Sequence, residues 1–136
     1  MTTSTIQYTG SLRVTGKHLK SGEVIFSDAP LDNKGKGQGF SPTDYCATSL
    51  AMCMLTIAGI HAESRGYDLL NTSANIIKEM ASSPRRIAAI HVSVSFKTSK
   101  KLSSREQELI ISAAKNCPVA KSLHPDVEQN LTFSFS

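Results

Sequence analysis

Apolar and polar residues alternate from the sixth position: Ile6, Tyr8, Leu12 and Val14 against Gln7, Thr9, Ser11, Arg13 and Thr15. Period two predicts a half-buried strand, with Arg13 on its polar face. A turn at Ser21-Gly22 then leads into a second predicted strand through Val24 to Phe26. The next stretch, APLDNKGKGQGF, reads as a mobile glycine-rich connection. It lacks the Gly-Lys-Ser/Thr ending of a phosphate loop, and the helix after it opens on proline. Ser41-Pro42-Thr43-Asp44 is a strong helix start: a capping hydroxyl, proline at the first helical position, and a carboxylate three residues after the cap. This helix is predicted to run to about Arg65, with Gly66 as its stop. Between Tyr45 and Ile60 it carries no charge on any side. That predicts burial all round, and a chain of this size struggles to wrap such a helix alone. A second subunit is therefore expected to cover it.

Thr72 to Ala81 reads as a strand, and Pro84 punctuates. Ala88, Ile90, Val92, Val94 and Phe96 then alternate with Ala89, His91, Ser93 and Ser95, giving another strand. Ser103 and Glu106 form a second capping box. The helix behind it aligns Leu109, Ile110, Ala113, Ala114 and Cys117 on one stripe. Val127, Leu131, Phe133 and Phe135 alternate with polar residues at the end of the chain. The predicted order is strand-strand-helix-strand-strand-helix-strand, an α+β fold with mostly antiparallel sheet.

The 136 residues suit a single domain spanning 1–136. Net charge is +4, and the basic residues are scattered without interleaved aromatics, which argues against nucleic acid as a partner. MTTSTIQYTG has no basic start followed by an apolar run, so no signal peptide is read. The uncharged stretch Tyr45 to Ile60 is short and rich in Thr and Ser for a membrane span. A cytoplasmic protein with three reduced cysteines is expected. No metal or cofactor is predicted. There is no CxxC, and His18, His61, His91 and His124 show no ligand spacing. Cys46 and Cys53 share a helix face, but two turns of rise part them by roughly 10 Å, too far for a disulfide or one metal ion.

Cys117 precedes Pro118, and a residue before proline is pushed away from helical geometry. The helix from Ser104 must therefore break near Asn116 or Cys117. Pro118 can start a short helix that stops before Pro125. Cys117 then sits at a helix N-terminus, where free N–H groups and the dipole favour a thiolate. The bland alternative is a small buried residue at a helix junction. Cys53, in LAMCMLTI, reads locally as a core cysteine.

Taken in order, GFSPTDYCATSLAMCMLTI, PRRIAAIHVSVSF and AAKNCPVAKSL resemble the OsmC/Ohr family, the osmotically inducible and organic-hydroperoxide-resistance proteins. The resemblance covers nearly the whole chain. It implies an OsmC-like fold: antiparallel sheets around a long buried central helix, in an intertwined homodimer. It also implies a thiol peroxidase for organic hydroperoxides, and for hydrogen peroxide in some cases, in oxidative stress defence. By resemblance Cys53 is the peroxidatic thiolate and Cys117 the resolving thiol, with a dithiol reductant (lipoyl-type in some members) closing the cycle. Family members pair an arginine with a glutamate beside the first thiol. Arg13 is the candidate for that arginine, with Arg86 a weaker one. The family's glutamate directly follows the helix-starting proline, where this chain has Thr43, and Asp44 is already explained by capping. That departure supports an alternative: a non-catalytic OsmC-like dimer that binds a small apolar ligand or senses thiol redox state.

Overall fold

The alternating run that starts at Ile6 is two strands, not one. In the computed structural model, which describes residues 1–136, β1 (Ser4–Gly10) pairs antiparallel with β2 (Arg13–His18). Ser11 and Leu12 turn the chain with left-handed φ angles of 55° and 61°, after Gly10 at 94°. Two left-handed residues in succession match the twist of the strands they join. The pairing sets Tyr8 opposite Val14, so even-numbered residues stay on one face through the turn. Alternation alone therefore could not reveal the reversal. Nor is β1 half-buried within this chain: Ile6 is 78% exposed and Tyr8 62%. A loop at Leu19–Gly22 returns the chain as β3 (Val24–Asp28), giving a sheet of order β1-β2-β3.

These strands belong to the first of two compact units, Met1–Cys46; the second is Ala47–Ser136. Helix α1 (Pro42–Ser64) begins in the first unit and continues in the second. Its start follows the prediction. Ser41 Oγ accepts the Asp44 N–H at 3.1 Å, and Asp44 Oδ2 accepts the Ser41 N–H at 3.0 Å. Gly66 follows the helix end at φ 80°, a conformation that favours glycine. All-round burial is not what the single chain shows. Ala47, Leu50, Ala51, Met54, Ala58 and Ala62 form a buried stripe, while Met52 and Ile60 are 63% and 60% exposed. The whole 23-residue helix is, by length and composition alone, long and apolar enough to cross a bilayer. Its stripe nevertheless packs into the protein core.

In the second unit β4 (Ser73–Ala81) and β5 (Arg86–Phe96) are antiparallel, and β6 (Glu128–Phe135) pairs parallel to β5. The parallel pairing requires a crossover. Helices α2 (Ser104–Lys115) and α3 (Pro118–Ser122) supply it. Both halves of the Ser103–Glu106 capping box are formed. Ile90, Val92, Val94 and Phe96 bury against α1 residues Leu50 and Met54 and α2 residues Ile110 and Ala114 in one cluster. Each large aliphatic side chain there contributes about 1.5–3 kcal/mol. Phe96 also stacks with Phe133 and Phe135, at centroid distances of 6.0 and 5.0 Å.

Candidate thiol site

The second unit brings Cys53 and Cys117 together. Cys53 stands on α1, partly buried, and packs against the core cluster. The predicted break after α2 occurs: Asn116 ends it, and Cys117 adopts extended backbone (φ −73°, ψ 150°) with Pro118 starting α3. Cys117 is itself the N-cap. Its Sγ accepts the Ala120 N–H at 3.4 Å, and its side chain has no solvent exposure. The two thiols are close enough for Cys53 to help raise the Cys117 pKa. Neither they nor Cys46 are in a disulfide.

The local expectation for Cys117 fails on electrostatics. A helix N-terminus should favour the thiolate, and the Ala120 and Val119 N–H groups do pull the pKa down. Burial outweighs them, and the neighbouring Cys53 adds to it, so the Cys117 thiol is held above its ordinary value. The helix behind the thiol is only five residues long, so its dipole is small. A buried, protonated Cys117 and a more accessible Cys53 differ in the sense that two-step disulfide chemistry needs.

Arg13 belongs to the first unit, where it builds a cluster of its own. The β2–β3 register sets it opposite Asp28. Arg13 Nε donates to Asp28 Oδ1 at 2.7 Å and Nη2 to Oδ2 at 2.9 Å, a bidentate pair. Nη2 also donates to Gln38 Oε1 at 3.0 Å, and the Gln38 N–H donates to Asp28 Oδ2 at 3.1 Å. The guanidinium carbon lies 4.3 Å from the Phe26 ring centre. Asp28, 3% exposed, is held below the usual carboxylate range, chiefly by the Arg13 hydrogen bonds, and Arg13 is pushed up by the same contact.

This cluster also corrects the expected mobile connection. The loop from Ala29 to Phe40 contains a 3-10 turn at Leu31–Asn33 and is pinned at several points. The Gly35 N–H donates to the Pro30 carbonyl, the Gly37 N–H to that of Ala29, and the Asp28 N–H to that of Phe40. Tyr45 Oη donates to the Phe26 carbonyl at 2.6 Å and its ring stacks on Phe40.

Thr43, where the family pattern has its glutamate, has its Oγ1 3.2 Å from Ser41 Oγ. Asp44 is engaged by the cap, as expected. Arg86 donates to the Pro84 carbonyl at 2.8 Å and is an exposed arginine at a strand start. His18 pairs with Ser21, His91 lies 3.0 Å from Glu79, and His124 accepts the Asp126 N–H. No group of three metal-ligating side chains forms. Sequence reasoning missed Asp28 and Gln38. Asp28 lay two residues beyond the predicted strand Val24 to Phe26, and a two-residue turn at Ser21-Gly22 would have paired Arg13 with Pro30. Only the longer Leu19–Gly22 loop brings Asp28 across from it.

A family model for OsmC-like protein matches residues 35–132. A protein of Psychrobacter arcticus 273-4, described as an osmotic stress induced and detoxification response protein, shares 47% identity. It superimposes with a TM-score of 0.92 over 98% of this chain and 96% of its own. An OsmC-like protein of Mycoplasma pneumoniae has the same fold at 18% identity (TM-score 0.79, covering 97% and 94% of the two chains). So does an organic hydroperoxide resistance protein of Legionella pneumophila, at 17% identity (TM-score 0.70, covering 98% of each). No curated protein matches. With a family match over most of its length and a near-complete structural likeness at 47% identity, the chain belongs to the OsmC family.

Proposed function

We propose that this protein is a cytoplasmic thiol peroxidase that reduces organic hydroperoxides through Cys53 and Cys117, in a redox defence role. The observation that carries this reading is the pairing of a partly exposed thiol on α1 with a fully buried one at the start of α3. In the first step the Cys53 thiolate attacks the outer peroxide oxygen. The O–O bond breaks, Cys53 becomes sulfenic acid, and the alcohol leaves with a proton. Cys117 then attacks the Cys53 sulfur. The S–S bond forms, and the Cys117 proton leaves with the sulfenic hydroxyl as water. A dithiol of the lipoyl type returns both cysteines to thiols by exchange and is itself oxidised to its disulfide. Arg13 is the cation that this reading assigns to orienting the peroxide, the part the family's arginine plays.

The working form in this reading is a homodimer. Ile6 and Tyr8 on β1, Val24 on β3, and Met52 and Ile60 on α1 are all more than half exposed within one chain. A three-stranded sheet with so little buried area needs a partner for stability. A second copy is the occupant that the apolar helix already suggests.

Purified protein is expected to consume t-butyl or cumene hydroperoxide with a dithiol donor. Turnover that survives Cys53→Ser would overturn the reading. Thr43 in place of the family glutamate favours one second reading, a non-catalytic dimer that binds a small apolar ligand. It is distinguished by peroxide silence together with a melting temperature raised by a fatty-acid-like ligand.

A further inference from the structure

The core-facing series of β6 contains a polar member. Val127 at its entry, and Leu131, Phe133 and Phe135 along it, pack against the core cluster, and period two puts Gln129 on the same face. Parallel pairing sets Gln129 beside Ile90 of β5, a residue with no exposure. An amide in such a row persists when its polar atoms find partners. Gln129 Nε2 donates to the Ala120 carbonyl at 2.9 Å. Ala120 is also the residue whose N–H donates to Cys117 Sγ. Helix α3 has only five residues, and a helix that short has little stability of its own. The Ala120 carbonyl is one of its last four, which the helical ladder leaves without a partner. Gln129 supplies that partner from the sheet, while Val119, Ala120 and Leu123 add apolar contact with the core. One side chain of β6 thus grips the residue that is hydrogen-bonded to the buried thiol.

We propose that Gln129 is a positioning residue for the resolving step: by holding the Ala120 carbonyl it docks α3 on β6, and so keeps Cys117 Sγ where it can capture the oxidised Cys53. This role rests on the peroxidase reading. In the step concerned, Cys117 Sγ attacks the Cys53 sulfenic sulfur. The S–S bond forms, the S–O bond breaks, and the hydroxyl leaves with the Cys117 proton as water. Gln129 exchanges no proton and touches no reacting atom. Its effect is confined to the second step, because attack of Cys53 on the peroxide makes no use of Cys117. A loosened α3 therefore lengthens the life of the sulfenic acid and leaves it open to a second peroxide, which carries it on to sulfinic acid.

The test separates the two steps in the full-length protein. Reduced wild type and Gln129→Met, which keeps the side-chain length but donates nothing, are mixed with t-butyl hydroperoxide and quenched at intervals. Loss of peroxide reads the first step, and loss of two hydrogens from the intact mass reads the second. Peroxide loss is expected to match wild type. Disulfide formation should slow by about tenfold or more, in the range that small misplacement of a reacting group costs. Dimedone should then trap sulfenic acid at Cys53, and excess peroxide should convert it to sulfinic acid. In a Cys117→Ser background the same substitution should change neither the formation nor the lifetime of the sulfenic acid, since a residue that acts only through a partner adds nothing once the partner is gone. Gln129→Asn, whose amide falls one carbon short of Ala120, takes the place of Gln129→Met should that protein not fold, with the same outcomes expected. Disulfide formation at the wild-type rate, or equal slowing of both steps, would overturn the role of Gln129 while leaving the peroxidase reading intact. A wild-type protein silent toward peroxide would remove both, and that rate is measured first.

Discussion

The thiol of Cys117 caps α3 by accepting the Ala120 N–H, and on its other side it meets the thiol of Cys53. One sulfur therefore ends a helix break and touches the long helix of the fold. The two thiols are unequal. Cys117 has no exposure and is held protonated by burial, whereas Cys53 is partly open. Alkylation of the reduced protein at pH 7 should therefore label Cys53 first, with Cys117 at least about tenfold slower, because the thiolate is the reactive form and access is needed as well. Cys117 labelling should rise only beyond the ordinary thiol range, above about pH 8.5. A peptide-mapped time course with iodoacetamide checks this. Equal or faster labelling of Cys117 at pH 7 would refute it.

Oxidation should join these two sulfurs and spare the third cysteine. Cys46 lies two helical turns from Cys53, roughly 10 Å along the axis, beyond disulfide reach. One equivalent of hydroperoxide should remove two hydrogens from the intact mass and leave Cys46 open to alkylation after denaturation. Cys117→Ser should instead accumulate a sulfenic acid at Cys53, detectable with dimedone. A disulfide that includes Cys46 would contradict the geometry.

The helices and the second sheet were legible in the sequence because their signals are local. Ser41 and Ser103 cap as their spacing predicts, Gly66 follows the α1 end, and Pro118 breaks the chain after Cys117. Two features were hidden for a shared reason: strand pairing is non-local. The reversal at Ser11-Leu12 keeps the parity of the side chains, so the alternation runs through it. The Arg13–Asp28 pair depends on loop length between β2 and β3, which no periodicity reports. The acidity expected of Cys117 failed differently. The helix start was read correctly, but the degree of burial that reverses its effect is a property of the packed core.

The pinned loop gives a further check. Gly35 has no room for a side chain: a Cβ there would overlap the Ala29 carbonyl group, which is backbone and cannot rotate away. Gly35→Ala should therefore destabilise the protein by about 1–3 kcal/mol, the usual range for overpacking. Gly59, on α1, has open space around the same position, so Gly59→Ala should be neutral or stabilising. Urea midpoints for the two variants test the contrast, and a Gly35→Ala protein as stable as wild type would show that the loop is not closed as described.

The acid side of the stability curve should carry the signature of Asp28. Its folded pKa lies below the ordinary value of about 3.9, chiefly because Arg13 donates to it. A carboxylate depressed in the folded state binds fewer protons there than when unfolded, so its contribution is complete above about pH 4 and disappears as pH falls through the folded pKa. Glu106 is also held low, by the Ser103 N–H and Lys100, so the wild-type acid limb reports more than one group. Asp28→Asn isolates the first, because Glu106 titrates alike in both proteins. The urea midpoints of wild type and Asp28→Asn should differ clearly at pH 6, and the gap should shrink as pH falls below about 4 and through the folded pKa. A gap that stays constant across this window would mean that the Arg13–Asp28 contact is held by shape and not by charge.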